Sequence, residues 1–277
     1  MNTVRGLLRL TRPDNWAIAA IAVIAGALTG PDPVVHWTPV VWAVVVAVLF
    51  TAGGMVLNDV ADVEIDRVNK AHRPLPSGMV FRPAAITLAV VLMGMGVIAL
   101  LPLPPVCRMI AFGSLGAIII YDLWGSRQPF VGNLIVSIVS GLAFLLGSLV
   151  VGHGLWGAIP GVLTAFFILG REIIKDLEDM EADRQEGLRT LPLVAGEAKA
   201  RSAARVVLTI LIILLVIPVI AGWMRLPYLL IMVPGVGFPL LKVIVQLADQ
   251  QDEISYRRIQ RFLKWDMLAG LLAILVG

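Results

Sequence analysis

The sequence predicts an all-α integral membrane protein, and three observations lead to that fold class. Hydrophobic residues make up 58% of the 277 residues and charged residues only 15%, whereas a soluble domain has about one quarter charged residues. Apolar runs long enough to cross a bilayer recur along the chain. Runs such as 210–217 do not alternate between apolar and polar residues, which excludes a membrane β-barrel. The same composition excludes a disordered chain and a nucleic-acid-binding protein.

Polar breaks divide the apolar sequence into about nine candidate membrane helices, each close to the length that a hydrocarbon core of ~30 Å requires. Pro104 and Pro105 form the tightest turn, between the third and the fourth helix. The predicted spans are 16–28, 41–57, 84–101, 106–121, 131–151, 158–174, 206–223, 228–247 and 262–276. No segment long enough for a soluble domain remains between them, so we expect a single domain over residues 1–277.

The distribution of basic residues predicts the orientation of the chain. With nine crossings, every one of the 22 lysines and arginines except Arg108 and Arg225 falls on one face of the membrane. Basic loops face the cytoplasm in most membrane proteins. We therefore expect a multi-pass protein of the cell membrane with its N-terminus on the cytoplasmic side.

Two polar segments, residues 58–78 and 171–192, share a spacing of aspartates at i, i+3 and i+7. Each triad is followed directly by an arginine, then by a second arginine and a Leu-Pro pair. The repeated residues are Asp59, Asp62, Asp66, Arg67 and Arg73 in the first segment, and Asp176, Asp179, Asp183, Arg184 and Arg189 in the second. This spacing places three carboxylates on one face of a continuing helix. Because four crossings separate the segments, we predict two acidic repeats on one side of the membrane, turned toward each other.

Six carboxylates near a low-dielectric boundary require compensation by positive charge. Two divalent cations would supply it, and Mg²⁺ suits these ligands because it takes carboxylate oxygens, keeps several waters and bridges to phosphate. The arginines of the two segments can bind the remaining anionic oxygens. The predicted ligand is a diphosphate at the membrane surface, with an apolar tail that reaches between the helices.

Three other interpretations compete with this one. A single acidic loop is usually a solvated face, but two matched triads are harder to explain in that way. In an ion-coupled secondary transporter, the acidic residues usually lie near the bilayer midplane rather than at the ends of the spans. A CDP-alcohol phosphotransferase also combines aspartates with membrane helices, but Val60 and Val63 stand where its DGxxAR signature would require glycine.

At these residues the sequence resembles the UbiA-type family of intramembrane prenyltransferases over its whole length. The family's first motif, NDxxDxxxD followed by RP-L/I-x-SG, is matched by Asn58, Asp59, Asp62, Asp66, Arg73, Pro74, Ser77 and Gly78. The second acidic motif matches Asp176, Asp179 and Asp183. Further similarities are the entry to the first span, Arg12-Pro13 and Asn15, and the series Tyr121, Arg127, Gly132 and Asn133.

The resemblance implies a helical bundle around a lateral-entry apolar cavity and an Mg²⁺-dependent prenyltransferase. The six aspartates would hold the metal, and the residues expected at the reacting centre are Asp62, Asp66, Asp179, Asp183 and Tyr121. The expected substrate-binding residues are Asn15, Asn58, Arg67, Arg73, Arg127, Arg171, Lys175, Arg184 and Arg189. Of these, Arg127, Arg171 and Lys175 are candidates for contacting a phosphate on the acceptor.

Within the family, the second segment is most similar to the branch that makes archaeal ether lipids, the digeranylgeranylglyceryl phosphate synthases. That branch implies transfer of a geranylgeranyl group from its diphosphate to a lipid acceptor, geranylgeranylglyceryl phosphate. Prenylation of an aromatic acceptor, as in quinone, chlorophyll or tocopherol pathways, remains the alternative within the family. The expected partners are the polyprenyl diphosphate, the lipid acceptor and membrane lipids.

Overall fold

The computed structural model describes residues 2–30, 35–249 and 255–277, and these residues form helices and turns without a strand. The all-helical fold class predicted from the sequence is therefore confirmed. The chain divides into two compact units, and helix α7 contributes its ends to different units. The single-domain assignment stays a prediction.

The first unit consists of the residues up to Gly125 together with Leu142–Gly157. Its helices are α1 (Asn2–Leu10), α2 (Pro13–Leu28), α3 (Trp37–Ala61), α4 (Val63–Asn69), α5 (Arg82–Ala99), α6 (Pro105–Leu123) and the C-terminal part of α7 (Val131–Val150). Within this unit α3 packs against α2, α5 and α6. The turn predicted at the Pro104–Pro105 pair is present, since α6 begins at Pro105.

The second unit consists of Ser126–Gly141 and Ala158–Gly277. It contains the N-terminal part of α7, then α8 (Ala158–Gln185), α9 (Leu191–Ala195), α10 (Glu197–Ile220), α11 (Leu226–Met232), a π-helical turn (Val233–Gly237), α12 (Phe238–Ala248) and α13 (Tyr256–Val276). The long helices α8 and α10 pack along each other, and α13 packs against α8 and α11.

Seven helical segments of the described chain are long and apolar enough to cross a membrane. In the most apolar 18-residue window of α5, and equally of α6, only 22% of the residues are buried. Side chains such as Ile98 and Met109 are consequently exposed, as expected of surfaces that face lipid. Each of the nine predicted spans overlaps a helix. The exact number nine is not confirmed, because α2 has only 16 residues and α13 is not among the seven segments.

Two glycines allow α2 and α7 to approach each other closely within the first unit. A Cβ atom on Gly26 would lie 2.0 Å from the carbonyl oxygen of Phe144, and one on Gly147 would lie 2.0 Å from that of Val23. Because these neighbours are backbone atoms, a side chain at either glycine would force the helices apart. Small residues permit such close packing between membrane helices.

A compact apolar cluster lies beneath the first acidic segment. Val56 and Val60 of α3 pack there with Leu75 and Val80, which belong to the loop between α4 and α5. Gly78 turns this loop with φ +73°, in the left-handed region that glycine adopts without strain. The buried Leu75 anchors the loop, and this position brings Arg73 back over the end of α3.

Candidate functional site

The first acidic segment is not one continuing helix, so that part of the prediction is wrong. Helix α3 ends at Ala61 and α4 begins at Val63, with Asp62 between them at φ −96°, ψ 8°. The interruption instead places Glu64 and Asp66 in the first turn of a new helix, where the positive end of the helix dipole stabilises negative charge.

Asp59 and Asp66 nevertheless share a face, because one guanidinium group contacts both. Arg73 Nη1 lies 2.5 Å from Asp66 Oδ2 and 3.5 Å from Asp59 Oδ1. Arg12 forms a further short ion pair with Asp59, and Lys70 Nζ lies 3.9 Å from Asp66 Oδ1. Both aspartates are buried, with 5% and 2% of their surface exposed. Buried carboxylates require such partners. Basic side chains therefore compensate part of the negative charge for which the sequence analysis expected only metal ions.

Arg12 reaches Asp59 from a backbone conformation that arginine rarely adopts. Its φ of 47° and ψ of 76° lie in the left-handed region. The following residue, Pro13, disfavours the right-handed helical region for Arg12 and begins α2. Non-glycine residues remain in such conformations only where the surroundings hold them. The ion pair with Asp59 is one such restraint, and it fixes the guanidinium group over the first acidic segment.

A buried aspartate outside both acidic segments also belongs to this region. Asp122, the second-last residue of α6, has only 2% of its surface exposed. Asn58 donates a hydrogen bond to its carboxylate, and Asp59, Asp62 and Arg12 lie within electrostatic range. The first unit therefore gathers side chains from α3, α4, α6 and the segment before α2 around one acidic centre.

The second acidic segment forms an unbroken helix, as predicted. Asp176, Asp179 and Asp183 all lie on α8, which runs for 28 residues. Asn133 Nδ2, near the start of α7, donates a 2.8 Å hydrogen bond to Asp176 Oδ2. An asparagine–aspartate pair thus joins each acidic helix to another helix of its unit. In the first unit the asparagine lies on the acidic helix, whereas in the second unit the aspartate does.

In the part of the chain that the structure describes, the two arginines that directly follow the aspartate triads form ion pairs with glutamates. Arg67 Nη1 lies 2.7 Å from Glu64, and Arg184 Nη1 lies 2.9 Å from Glu181, with each pair largely exposed. The i, i+3 spacing explains both pairs, because it makes glutamate and arginine neighbours on the helix surface. Arg73, in contrast, contacts the aspartates directly.

The remaining predicted substrate-binding residues occupy varied surroundings. Asn15 Nδ2 lies 3.1 Å from the sulfur of Met55, and Tyr121 is half-buried near the end of α6. Arg171 is half-buried and its Nη1 lies 3.9 Å from Glu172. Its Nε is buried and has no hydrogen-bond partner among the described residues. The exposed side chains are those of Arg127, Lys175 and Arg189.

The donor chemistry of both segments fits Mg²⁺. All the predicted ligands are hard carboxylate oxygens, which this ion prefers. No three histidine, cysteine, aspartate or glutamate side chains converge as a metal-binding group within the described ranges. This arrangement still suits magnesium, because the ion is usually held by one or two carboxylates, with waters and substrate phosphate oxygens completing its shell.

Three residues of these centres were not among the predicted site residues: Arg12, Asp122 and Asn133. The family-like pairs Arg12-Pro13 and Gly132-Asn133 drew attention to two of them in the sequence. Asp122 gave no such signal, because a single aspartate beside Tyr121 has no spacing relation to either triad.

Comparison with known proteins decides the family. The sequence profile of the UbiA prenyltransferase family matches residues 19–266. The chain belongs to the UbiA prenyltransferase family. The family and the enzyme class predicted from the two aspartate motifs are thereby confirmed, and the protein is a multi-pass membrane prenyltransferase.

Curated relatives in the UbiA family match the chain over its full length. A digeranylgeranylglyceryl phosphate synthase of Methanopyrus kandleri is 37% identical, with 99% of both chains covered. One of Natronomonas pharaonis is 34% identical and covers 100% of this chain and 98% of the relative.

Solved structures in the UbiA family have the same fold. A structure described as giving insight into the biosynthesis of digeranylgeranylglyceryl phosphate synthase in membranes superposes with a TM-score of 0.80 at 29% identity, with 100% and 99% of the two chains covered. A UbiA homologue from Archaeoglobus fulgidus bound to GPP and Mg²⁺ gives a TM-score of 0.75 at 17% identity, with 97% and 99% covered.

Proposed function

We propose that this protein transfers a geranylgeranyl group from geranylgeranyl diphosphate to geranylgeranylglyceryl phosphate, in an Mg²⁺-dependent step of ether-lipid synthesis. The observation that carries the proposal is the acidic centre of the first unit, in which guanidinium groups surround the buried Asp59 and Asp66. Support comes from the relatives, which are named digeranylgeranylglyceryl phosphate synthases and match the chain from end to end.

We assign two divalent cations to the aspartates of the two acidic segments. The proposed ligands are Asp59, Asp62, Asp66, Asp176, Asp179 and Asp183. Support comes from the donor chemistry and from the Archaeoglobus fulgidus homologue, which binds GPP and Mg²⁺. When bound, the metal supplies positive charge that stabilises the departing diphosphate.

In the proposed reaction, the bond between C1 of the prenyl group and the diphosphate oxygen breaks, and its electron pair leaves with the diphosphate. The hydroxyl oxygen of the acceptor forms a new bond to C1 and releases its proton. Arg73 is the residue best placed to bind the leaving group, because it already contacts carboxylates on both sides of the break at Asp62. Tyr121 and Asn15 are proposed to orient the substrates. The developing allylic cation requires apolar surroundings that exclude water.

The phosphate of the lipid acceptor requires a basic contact of its own. Arg171, Lys175 and Arg127 are the proposed contacts. Arg171 is favoured among them because its buried Nε has no hydrogen-bond partner within the described ranges. Arg189 is proposed to bind diphosphate oxygens. For Arg67 and Arg184, which pair with glutamates at the exposed surface, we propose an outer role in attracting the anionic substrates.

The proposed function is tested with purified protein, geranylgeranyl diphosphate, Mg²⁺ and one acceptor in each assay. We expect an ether-lipid product with geranylgeranylglyceryl phosphate, no product with 4-hydroxybenzoate, and loss of product when EDTA removes the metal. A prenylated aromatic product would contradict the ether-lipid assignment and leave the enzyme class unchanged. Ion-driven solute uptake by proteoliposomes without product formation would favour a transporter instead.

Variants in each acidic segment test the metal role in the same assay. Asp62→Asn and Asp179→Asn should each lower turnover by at least about 100-fold, because each removes a proposed metal ligand. Glu64→Gln is the matched control, since Glu64 is exposed and pairs with Arg67 away from the aspartates. Activity of both asparagine variants close to that of the control would exclude the metal role of the segments.

A further inference from the structure

Asp122 is a buried acid that neither aspartate motif supplies. It lies near the end of α6, 2% exposed, in the first unit. Asn58 donates a hydrogen bond to its carboxylate, while its Oδ2 atom is buried and has no hydrogen-bond partner among the described residues. Burying a carboxylate oxygen without a partner costs free energy. A structural role in which Asp122 only accepts from Asn58 therefore does not explain why its Oδ2 is buried.

The charges around Asp122 make it more significant that its Oδ2 has no hydrogen-bond partner among the described residues. Asp59 and Asp62 lie within electrostatic range, and like charges oppose the burial of a further carboxylate. Arg12 also lies within range, but its guanidinium group forms an ion pair with Asp59. Arg73 is engaged with Asp59 and Asp66. The cationic side chains seen at this centre are thus paired with other aspartates, while Asp122 adds a negative charge.

We propose that Asp122 is a further oxygen ligand of the divalent cation at the first acidic segment, an inference that rests on the proposed function. A divalent cation would neutralise the charge of Asp122 and occupy the coordination position of its Oδ2, which is buried and has no hydrogen-bond partner among the described residues. Magnesium takes carboxylate oxygens as ligands, and diphosphate oxygens and waters complete its shell. The hydrogen bond from Asn58 would orient the carboxylate, as partners of metal ligands commonly do.

This assignment distinguishes the two acidic centres of the chain. In the second unit, Asn133 donates to Asp176, a member of the acidic triad itself. In the first unit, the asparagine precedes the triad and donates to an aspartate from another helix. The first cation is therefore held between α6 and the junction of α3 and α4, so its binding should tie α6 to the acidic segment.

The test is binding of Mn²⁺ to the purified full-length protein, with free Mn²⁺ measured by electron paramagnetic resonance. Asp122→Asn keeps the size of the side chain and an oxygen that can accept from Asn58, but it removes the charge. We expect at least about tenfold weaker binding of one Mn²⁺ ion. Asp266→Asn is the matched control, because Asp266 on α13 is also buried and its Oδ2 has no hydrogen-bond partner in the described part of the chain. Its Mn²⁺ binding should equal that of the wild-type protein.

An Mn²⁺ titration of Asp122→Asn that superposes on that of wild type would overturn the proposal, even if activity fell. Asp122→Ser, which removes more of the side chain, provides a second variant if the first does not fold. Product formation by the wild-type protein is measured in the same preparations. A wild-type protein without product would count against the proposed function, whereas unchanged Mn²⁺ affinity in an otherwise active preparation would count against Asp122 alone.

Discussion

Arg73 shows how a single side chain organises the first acidic centre. Its guanidinium group contacts both of the buried residues Asp59 and Asp66. These aspartates lie on different helices, because the helix is interrupted at Asp62. A planar group with several donors can serve both carboxylates at once, whereas a lysine ammonium group is a point charge. The position of Arg73 depends in turn on Leu75 and Val80, which anchor its loop in the apolar cluster below.

At the residue scale, we expect Arg73→Met to lower the free energy of unfolding by about 3 kcal/mol, because removing one partner leaves buried carboxylates without compensation. Arg73→Lys should recover part of this loss. Arg67→Met is the control and should change stability by less than about 1 kcal/mol, since its ion pair with Glu64 is exposed. Denaturation in detergent measures all three, and equal stabilities of the two methionine variants would contradict the bridging role.

Helix α7 illustrates the constraints at the scale of the element. It approaches α2 so closely that Gly147 meets the carbonyl of Val23 and Gly26 meets that of Phe144. The glycines of α6 differ, because a Cβ atom on Gly116 would meet nothing within 4 Å. A glycine in a close helix contact and a glycine beside open space cannot be distinguished in an apolar sequence. The packing of the helices determines which of them a larger residue can replace.

Alanine substitutions at Gly147 and Gly116 should therefore have opposite effects on the free energy of unfolding. Gly147→Ala forces two backbones apart, and we expect a loss of about 1–3 kcal/mol, as in other overpacked interiors. Gly116→Ala has room for its methyl group, and the lower flexibility of alanine should stabilise the helix by about 0.5–1 kcal/mol. Thermal unfolding of the detergent-solubilised variants measures both, and a stabilised Gly147→Ala protein would refute the close contact.

At the scale of the whole molecule, the basic residues support a single orientation in the membrane. Arg225 and Arg108 are the exceptions to an otherwise one-sided distribution, and we propose that the N-terminus and both acidic segments face the cytoplasm. The chain is suited to a labelling test, because its one cysteine, Cys107, is buried.

We expect a membrane-impermeant maleimide to label Arg225→Cys in intact cells, since Arg225 is exposed and lies on the external face in this topology. Arg67→Cys should be labelled only after permeabilisation. The wild-type protein, with only the buried Cys107, is the unlabelled control. Labelling of Arg67→Cys in intact cells would reverse the proposed orientation.

Much of the candidate site could be predicted from the sequence, because residues at helical spacing lie on one face once the segment forms a helix. Asp176, Asp179 and Asp183 lie on one unbroken helix, as their spacing indicates. The first triad follows the same rule for Asp59 and Asp66, but the break at Asp62 escaped prediction. The same spacing lies on an unbroken helix in the second segment, so the spacing of the aspartates does not by itself locate the break.

The sequence alone determined the class of protein, the helical fold and the presence of two acidic segments, because hydropathy and residue spacing are local properties of the chain. Tertiary structure decided which charges meet. It paired Arg12 and Arg73 with the first aspartates, turned Arg67 toward Glu64, and buried Asp122 beside Asn58. Contacts between residues distant in the chain depend on how helices pack and where loops return, and no local pattern records that information.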